Sequence, residues 1–459
     1  MNKLLKYTYL TAIGMTLLSS CDQRLEVAPT QTIDENLALG TSRDVEVTLI
    51  GCYDGLQDVD LYGGAIQYTA DLYGDGGDMR FGGTFANLLE IFNKQLTTAN
   101  STATATWVDA YNTINRCNNV ISALDKVDQA KKNRIEGEAR FIRGSLYFEL
   151  VRLYAKAWGD GDNAANPGVP LVLTPTRAIS EENYRKRNSV AEVYAQAIDD
   201  LMKAESLLPA TNTIYATKNA AAAQLSRIYL MQSNFAGARD AANRVITSGT
   251  QRLVTPFSAL FYTFLRNGGA NPAEYIFAMT VTTQDGANGM NTYYGTTVSS
   301  IPGTAGRGDF RIQPQHLALY EAGDARGEFF IKPTAQTYTQ KHIDRYGNVP
   351  VIRLAEMYLT RAEANFRLGT TVGAAPLADI NVIRTRAGLK ALTEVTLTSI
   401  MKERKLELAF EGHLLHDIKR TKGMSGTLNF NDARLIFPIP QREMDADAKF
   451  KQLTQNAGY

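Results

Sequence analysis

Two histidines, His413 and His416, have a spacing that would place both imidazoles on one face of a helix. They lie beside Glu411 and Asp417, and zinc in proteins takes nitrogen, sulfur and carboxylate ligands in a tetrahedral set. The sequence shows no evident third ligand for such a site, and no G-x-S-x-G segment that would carry a nucleophilic serine. Nothing singles out two of the 47 acidic residues as the carboxylate pair of a glycoside hydrolase. The pattern therefore predicts neither a metal centre nor an enzyme.

Two aspartate-rich stretches are candidates for calcium. One is DLYGDGGDMR, with Asp71, Asp75 and Asp78, and the other is GDGDN, with Asp160 and Asp162. Calcium prefers oxygen ligands, but neither stretch has the complete D-x-[DN]-x-[DN]-G pattern with a distal glutamate. Aspartates of this kind also form turns by hydrogen bonding to the backbone. We predict no cofactor, and calcium is the alternative.

A cysteine near the start of the chain has the surroundings of a lipid-attachment site. Lys3 and Lys6 precede a twelve-residue apolar run that ends in Leu18-Ser19-Ser20-Cys21. A bilayer-spanning helix needs about 20 apolar residues, so a secretory signal explains the run better than a membrane anchor. The ending is similar to a bacterial lipobox, in which the cysteine thiol receives acyl chains such as palmitate. We predict a lipoprotein signal peptide over residues 1–20 and lipidation at Cys21, against the alternative of an ordinary signal peptide.

Charge and cysteine content restrict the remaining classes. Because the chain has 48 basic and 47 acidic residues, it lacks the excess positive charge that favours binding to nucleic acid. No later stretch is long and apolar enough to cross a membrane. Cys52 and Cys117 lie in segments with helical periodicity. They form a disulfide or remain two buried thiols, and the sequence does not decide between these alternatives.

The elements that would position these residues are mostly helices. Apolar periodicity and capping residues predict helices over Ser42 to Val59, Trp107 to Val127, Lys131 to Trp158, Ser189 to Leu208 and Lys218 to Gln232. The third helix carries apolar residues at helical spacing at Ile135, Ala139, Ile142, Leu146, Leu150 and Leu153.

Two segments have the alternation of large and small residues that is typical of tetratricopeptide hairpins. The first runs from Gln224 to Ile246, and the second from Leu359 to Gly369 with the helix that follows. Such hairpins bury their apolar faces by stacking on neighbours. The helix-poor stretch from Gly249 to Pro350 is rich in glycine, threonine and aromatic residues. We therefore predict a mostly α fold in which tetratricopeptide-like helical hairpins form a platform and a long loop-rich region packs on it.

Five further blocks identify a family. They are EARFIRGSLYFELVRLYAKAWG (138–159), RNSVAEVYAQAIDDLMKAESLLP (187–209), INVIRTRAGL (380–389), ERKLELAFEGHLLHDIKR (403–420) and IFPIPQREM (436–444). In order along the chain, they resemble the SusD/RagB family of nutrient-uptake outer-membrane lipoproteins. We interpret the last three blocks as a clasp, a segment that packs the loop region onto the helical hairpins. Within it, Glu403, Glu407 and Glu411 are predicted to pair with Arg384 or Arg386.

The resemblance implies a role and a domain plan. Members lie on the outer face of the outer membrane, cover a TonB-dependent SusC-like barrel, and deliver an oligosaccharide or peptide to it without catalysis. The plan has a lipidated tether (21–41) and one SusD-like domain (42–459). Within that domain the platform is 42–248 and 351–389, the loop-rich insertion 249–350, and the clasp 390–459. Only Asp22 is acidic directly after Cys21, so outward and periplasmic orientations both stay open.

The ligand site is predicted in two loop regions where aromatic and polar residues lie together. Aromatic faces bury the apolar surface of sugars or peptides while polar groups orient the ligand. The predicted ligand residues are Tyr73, Asp75, Asp78, Arg80 and Phe81, with Phe85 beside them, and Asn288, Tyr293, Tyr294 and Arg307. The alternative is that these side chains only hold the loops together. A second function also stays open, a tetratricopeptide-type scaffold lipoprotein for outer-membrane assembly.

Overall fold

Helices dominate the computed structural model, which describes residues 39–178, 180–298 and 304–459. In chain order they are α1 (Ser42–Gln57), α2 (Ala65–Gly74), α3 (Ala86–Asn93), α4 (Ser101–Ser122), α5 (Gln129–Tyr154), α6 (Val190–Leu207), α7 (Lys218–Met231), α8 (Phe235–Thr247), α9 (Thr263–Asn267), α10 (Gly289–Tyr294), α11 (Pro314–Leu317), α12 (Leu354–Leu368), α13 (Pro376–Arg386), α14 (Leu397–Glu407), α15 (Leu414–Thr421) and α16 (Gln441–Ala446). The predicted fold class, mostly α with helical hairpins and a loop-rich region packed on them, is confirmed.

The strands of the described chain form four small antiparallel pairs. They are β1 (Met79–Phe81) with β3 (Phe310–Ile312), β2 (Tyr275–Met279) with β6 (Val349–Arg353), β4 (Phe330–Ile331) with β5 (Tyr338–Thr339), and β7 (Met424–Ser425) with β8 (Leu428–Asn429). In the first pair Phe81 lies opposite Phe310. This pairing joins the early loop region to the loop-rich insertion, and so brings the two predicted ligand regions together.

Capping residues decide where several helices begin. Thr41, not the predicted Ser42, caps α1 and forms a capping box with Asp44. Ser189 caps α6 as predicted. The helix predicted from Trp107 begins earlier, at Ser101, because the Asn100 side chain accepts a hydrogen bond from the backbone of Ala103 at 3.1 Å. Trp107 is therefore a buried residue within α4.

The two predicted hairpins are present and touch each other. α7 packs on α8, α12 packs on α13, and α8 packs against α12. The contact surfaces are lined with small residues, all buried, at Ala220, Ala221, Ala222, Ala223, Ala238, Ala241 and Ala242. Small side chains let helix axes approach, so the hairpins bury one continuous apolar surface. The predicted apolar stripe of α5 is also wholly buried.

The C-terminal blocks hold a buried cluster of charges between the hairpins and the insertion. Glu403 pairs with Arg384, and Glu407 pairs with Arg386, as predicted. Glu411 differs from the prediction, since it binds Arg353 of β6 at 2.7 Å and a lysine of the insertion. The reason is position: Glu411 follows the end of α14, and its side chain reaches the insertion and β6.

Cys52 and Cys117 are buried free thiols in this structure. Within the described residues, no helix has the length and apolarity needed to cross a membrane. Cys21 and the predicted signal peptide lie outside the described residues.

Candidate functional site

Four side chains form an exposed surface at the junction of the two loop regions, which we call the aromatic surface: Thr84, Phe85, Tyr293 and Arg307. Phe85 is 41% exposed. The Arg307 guanidinium carbon lies 4.3 Å from the centre of the Phe85 ring. The Tyr293 ring meets the Phe85 ring edge to face at 6.2 Å. Three of the predicted ligand residues, including Phe85, therefore meet at one place on the surface.

The backbone beneath the aromatic surface is held by hydrogen bonds between the two loop regions. Gly82 N–H donates to the Asp309 carbonyl at 2.7 Å, and Asp309 N–H donates to the Tyr293 carbonyl at 3.0 Å. Arg307 donates from Nε to the Asp309 carboxylate at 2.8 Å and from Nη2 to the Thr84 hydroxyl at 3.2 Å. The surface is thus held in place without a ligand, which lowers the entropy cost of binding one.

Tyr293 connects the aromatic surface to the core. Its ring stacks on Phe310 with centroids 5.6 Å apart and lies 4.8 Å from the Tyr68 ring. Burial raises the pKa of Tyr293, so its hydroxyl stays protonated and available for hydrogen bonding at neutral pH. Arg80 is also exposed, on β1, where it lies opposite Arg311 in the strand pair.

The prediction that Tyr73 and Tyr294 bind the ligand is wrong, because both side chains are fully buried. The Tyr73 hydroxyl donates to the Ile436 carbonyl at 3.2 Å, and its ring packs on Phe437. The Tyr294 hydroxyl is 3.3 Å from the Asp71 carboxylate. Both tyrosines join the loops to the interior, so neither can contact a ligand at the surface.

The same prediction is wrong for Asp75, Phe81 and Asn288. Each of these side chains is buried and stabilises the structure around it. The Asp75 carboxylate accepts hydrogen bonds from Gly77 N–H and Met79 N–H at 2.9 and 2.8 Å. Phe81 packs against other aromatic rings in the interior. Asn288 caps α10 and donates from its amide to three backbone carbonyls within residues 344–347. These contacts match the alternative that the aromatic and polar residues hold the loops together.

Asp78 faces a different place, a cavity of about 440 Å³ between α2, α14 and α15. We call it the α14–α15 cavity. Its polar lining includes Asp71, Asp78, His316, Arg404, Lys405, His413 and Asp417, and its apolar lining includes Met401, Leu408, Phe410, Leu414, Ile418 and Met424. The volume falls in the range of small-molecule pockets.

The pKa values of two carboxylates in this cavity are shifted in opposite directions. Burial alone would raise the pKa of Asp78, but the neighbouring His316 and Lys405 outweigh burial and lower it to about 2. The Lys405 ammonium lies 2.7 Å from Asp78. Burial raises the pKa of Asp71 to about 7, although backbone N–H groups of Gly412 and Leu414 donate to its carboxylate. Each carboxylate is engaged by protein partners.

The candidate metal ligands do not converge. Asp71, Asp75 and Asp78 face the different partners given above. In the described part of the chain, the group of three or more ligating side chains that comes together is Asp58, Asp60 and Asp109, and it includes neither His413 nor His416. His413 contacts Arg404 at 3.4 Å, whereas His416 lines a separate cavity beside α5. The Asp162 carboxylate accepts from Ala164 N–H at 2.8 Å, as turn-forming aspartates do.

The sequence did not reveal the α14–α15 cavity as a pocket. Its lining comes from residues 71–78, 315–316 and 401–426, and only folding brings these three segments together. The charged residues of the last segment were interpreted as a structural clasp. The exposure of Phe85 could have been predicted from the sequence, because the residue lies two positions after a glycine pair and directly before a short amphipathic helix.

Two family models match the chain. One, described as starch-binding and associating with the outer membrane, matches residues 30–230. The other, of the SusD family, matches residues 328–434. Together they include most of the residues predicted as the platform and most of those predicted as the clasp.

Relatives of similar length support the same assignment. The chain is 27% identical to SusD-like protein P2 of Formosa agariphila over 99% of both chains. It is 24% identical to SusD-like protein P38 of the same organism over 98% of both. The structure also resembles a Bacteroides vulgatus protein proposed to bind sugar, with a TM-score of 0.78 and 26% identity over 91% of this chain and 99% of that one. The two family models, the relatives matched over nearly their whole length and the structural likeness agree, and the chain therefore belongs to the SusD/RagB family.

Proposed function

We propose that this protein is an outer-membrane lipoprotein that binds an oligosaccharide on the aromatic surface and passes it to a TonB-dependent SusC-like barrel, without catalysis. The observation that carries the proposal is the exposed Phe85 ring, which contacts the Arg307 guanidinium and the Tyr293 ring. The description of the matched family model, starch-binding and associating with the outer membrane, supports both the ligand class and the location.

The chemistry of the aromatic surface suits a sugar. One face of a pyranose ring presents C–H groups, which bury well against an aromatic ring such as Phe85. The sugar hydroxyls need donors and acceptors at the edge of that contact, and the Arg307 guanidinium and the Thr84 hydroxyl lie there. Arg307 is 37% exposed at its side chain and is oriented by Asp309, so its remaining N–H groups have a defined direction.

A titration with a matched control tests the site. Phe85 exposes 41% of its surface, and full burial of a phenylalanine covers roughly 200 Å². The ligand would cover about 80 Å² of the ring, which corresponds to about 2 kcal/mol at 25 cal/mol per Å². Phe85→Ala should therefore weaken binding about 10- to 30-fold by calorimetry. Phe366→Ala is the control, because Phe366 is 37% exposed on α12, away from the aromatic surface.

The panel should contain oligosaccharides, beginning with α-glucans, and peptide pools. Glycan binding that Phe85→Ala weakens and Phe366→Ala leaves unchanged supports the proposal. Binding only to peptides would keep the surface and change the ligand class. Glycan binding that Phe85→Ala leaves unchanged would refute this surface as the site and move attention to the α14–α15 cavity. Tight binding to an assembly protein with no nutrient ligand would instead support the scaffold function.

The anchor and the partner need separate experiments. Lipidation at Cys21 predicts that Cys21→Ser moves the protein from the membrane fraction to the soluble fraction, since acyl chains supply the membrane affinity. Protease treatment of intact cells distinguishes the outward from the periplasmic orientation, because only an outward protein is cleaved. Affinity purification from outer membranes solubilised in mild detergent should recover a TonB-dependent barrel; recovery of the protein alone would refute the stable complex.

A further inference from the structure

A small cavity lies where the end of α5 meets α15, with α6 and α7 beside it. Its volume is about 20 Å³, which is room for one water-sized particle. The lining is basic and aromatic: Arg152, Lys156, Ala157, Trp158, Tyr194, Met231, His416, Lys419 and Arg420. Among the described residues that line it there is no aspartate or glutamate. We call it the basic cavity.

Three of the basic side chains are buried and have nitrogen atoms with few or no hydrogen-bond partners. Arg152, His416 and Lys419 are each at least nine-tenths buried. The Arg152 Nε and the His416 Nε2 have no hydrogen-bond partner among the described residues. Lys419 Nζ, which carries three donors when protonated, makes one long contact, 3.4 Å to the Arg152 carbonyl. A buried donor left without a partner costs about 1–3 kcal/mol.

Charge compensation around the cavity is incomplete. Arg152 pairs with Glu149, and Arg420 pairs with Glu363 at 2.7 Å. Lys419 and His416, in contrast, have no carboxylate within ion-pair distance in the described part of the chain. Buried charges in proteins are normally paired or bind an ion.

From this arrangement we infer that the basic cavity binds a single monovalent anion of halide size, with chloride as the physiological candidate. Such an ion accepts hydrogen bonds from several directions and supplies a negatively charged partner for Lys419. It would join the end of α5 to α15 and so stabilise the contact between the platform and the clasp. The inference is independent of the glycan site, which lies on the loop regions.

The size of the cavity argues against larger anions, and its charge argues against water. A phosphate or sulfate needs several times the available volume. A water molecule fits, but when Lys419 is protonated it leaves that positive charge uncompensated and offers only two acceptor positions. The anion and the water therefore predict different measurements.

Binding should depend on pH through the groups that face the cavity. Burial lowers the pKa of Lys419 to about 7, with Asp160 opposing and Arg152 adding to the effect. Burial, with Arg152 and Lys419, lowers the pKa of His416 well below its usual value. An anion favours the protonated forms, so it binds more tightly as pH falls through 7. The other ionisable groups on the surrounding elements are Glu149 and Lys156 at the end of α5, Tyr194 on α6, Arg227 on α7, Arg420 on α15 and the nearby His413.

The first test is a thermal denaturation series with the purified protein at constant ionic strength, in which sodium chloride or bromide replaces sodium gluconate. At pH 6 we expect halide to raise Tm by about 2 °C at saturating concentration, by linkage to the folded state. The rise should shrink at pH 9. Lys419→Met should remove the halide effect, because it fills the same space without a charge. Lys203→Met, at an exposed lysine of α6, is the matched control and should retain it.

The second test is a crystal grown in bromide, which does not depend on any variant folding. An anomalous difference peak in contact with Lys419 and His416 supports the inference. Ordered water in the cavity with no anomalous signal overturns it. A halide effect of equal size in Lys419→Met and in the wild-type protein also overturns it, because the ion would then act elsewhere.

Discussion

Glu407→Gln is the most informative stability test, because Glu407 lies at the centre of the buried charge cluster. Its carboxylate accepts from Arg353 at 3.0 Å and pairs with Arg386, and Arg326 lies 3.7 Å away. The side chain is fully buried. Burial alone would raise the pKa of Glu407, but these arginines lower it far below the usual value, so the group is ionised in the folded protein.

The charge balance gives the magnitude. The cluster holds as many buried basic groups as acidic ones, namely Lys341, Arg326, Arg353, Arg384 and Arg386 against Glu274, Asp324, Glu403, Glu407 and Glu411. Glutamine has nearly the shape of glutamate, but it removes one negative charge and turns an amide donor toward the arginines. Removing one partner of a buried ion pair costs about 3–5 kcal/mol. We expect the free energy of unfolding to fall by that amount.

Urea denaturation at pH 7, followed by circular dichroism, measures the loss. Glu205→Gln is the control, since Glu205 pairs with Arg244 at 2.7 Å and the arginine side chain is 48% exposed. A pair of that kind contributes about 0.2–1 kcal/mol. If Glu407→Gln costs no more than Glu205→Gln, the cluster is not held together by charge compensation and the reasoning fails.

Three further predictions concern buried residues. Asn288→Ala should lower the free energy of unfolding by about 2–4 kcal/mol, because it removes a helix cap and several amide hydrogen bonds; a free energy of unfolding equal to that of the wild-type protein would contradict the structural role. The raised pKa of Asp71, about 7, means that burial opposes its ionisation, so this residue's stabilising contribution is lost as pH rises from about 4 through 7. Denaturation at pH 5 and pH 8 should show that Asp71→Asn lacks this loss, and an equal fall in both proteins would contradict the assignment. Cys52 and Cys117 should react with Ellman's reagent only after unfolding, because both thiols are buried and the pKa of Cys117 is raised by burial; reaction in the folded protein would show that the helices open.

Local patterns determined most of the platform. The apolar stripe of α5 and the alanine-rich face of α7 mark buried helix surfaces, because helical spacing places those residues on one side of the axis. Ser189 marks the start of α6, because a serine hydroxyl satisfies an N–H group that the first turn leaves free. The early start of α4 was missed, because an asparagine cap seven residues before Trp107 is a weak signal by itself.

The site was harder to predict than the fold. Residue types in the loops identified aromatic and polar groups, but the same types serve to bind a ligand and to anchor a loop. Tyr73, Tyr294 and Asn288 are buried and anchor the loops, whereas Phe85 and Arg307 are exposed, and the difference depends on how the loops pack in the folded chain.

By itself, then, the sequence determined the helical hairpins and the family, since these depend on short spacings and motifs along the chain. It indicated that Glu403 and Glu407 pair with Arg384 or Arg386, but the structure decided which glutamate binds which arginine. Only the tertiary structure decided which aromatic rings face solvent and where the α14–α15 cavity and the basic cavity lie. Both cavities are lined by side chains from segments far apart in the chain. Their existence depends on packing between helices, which no local spacing records.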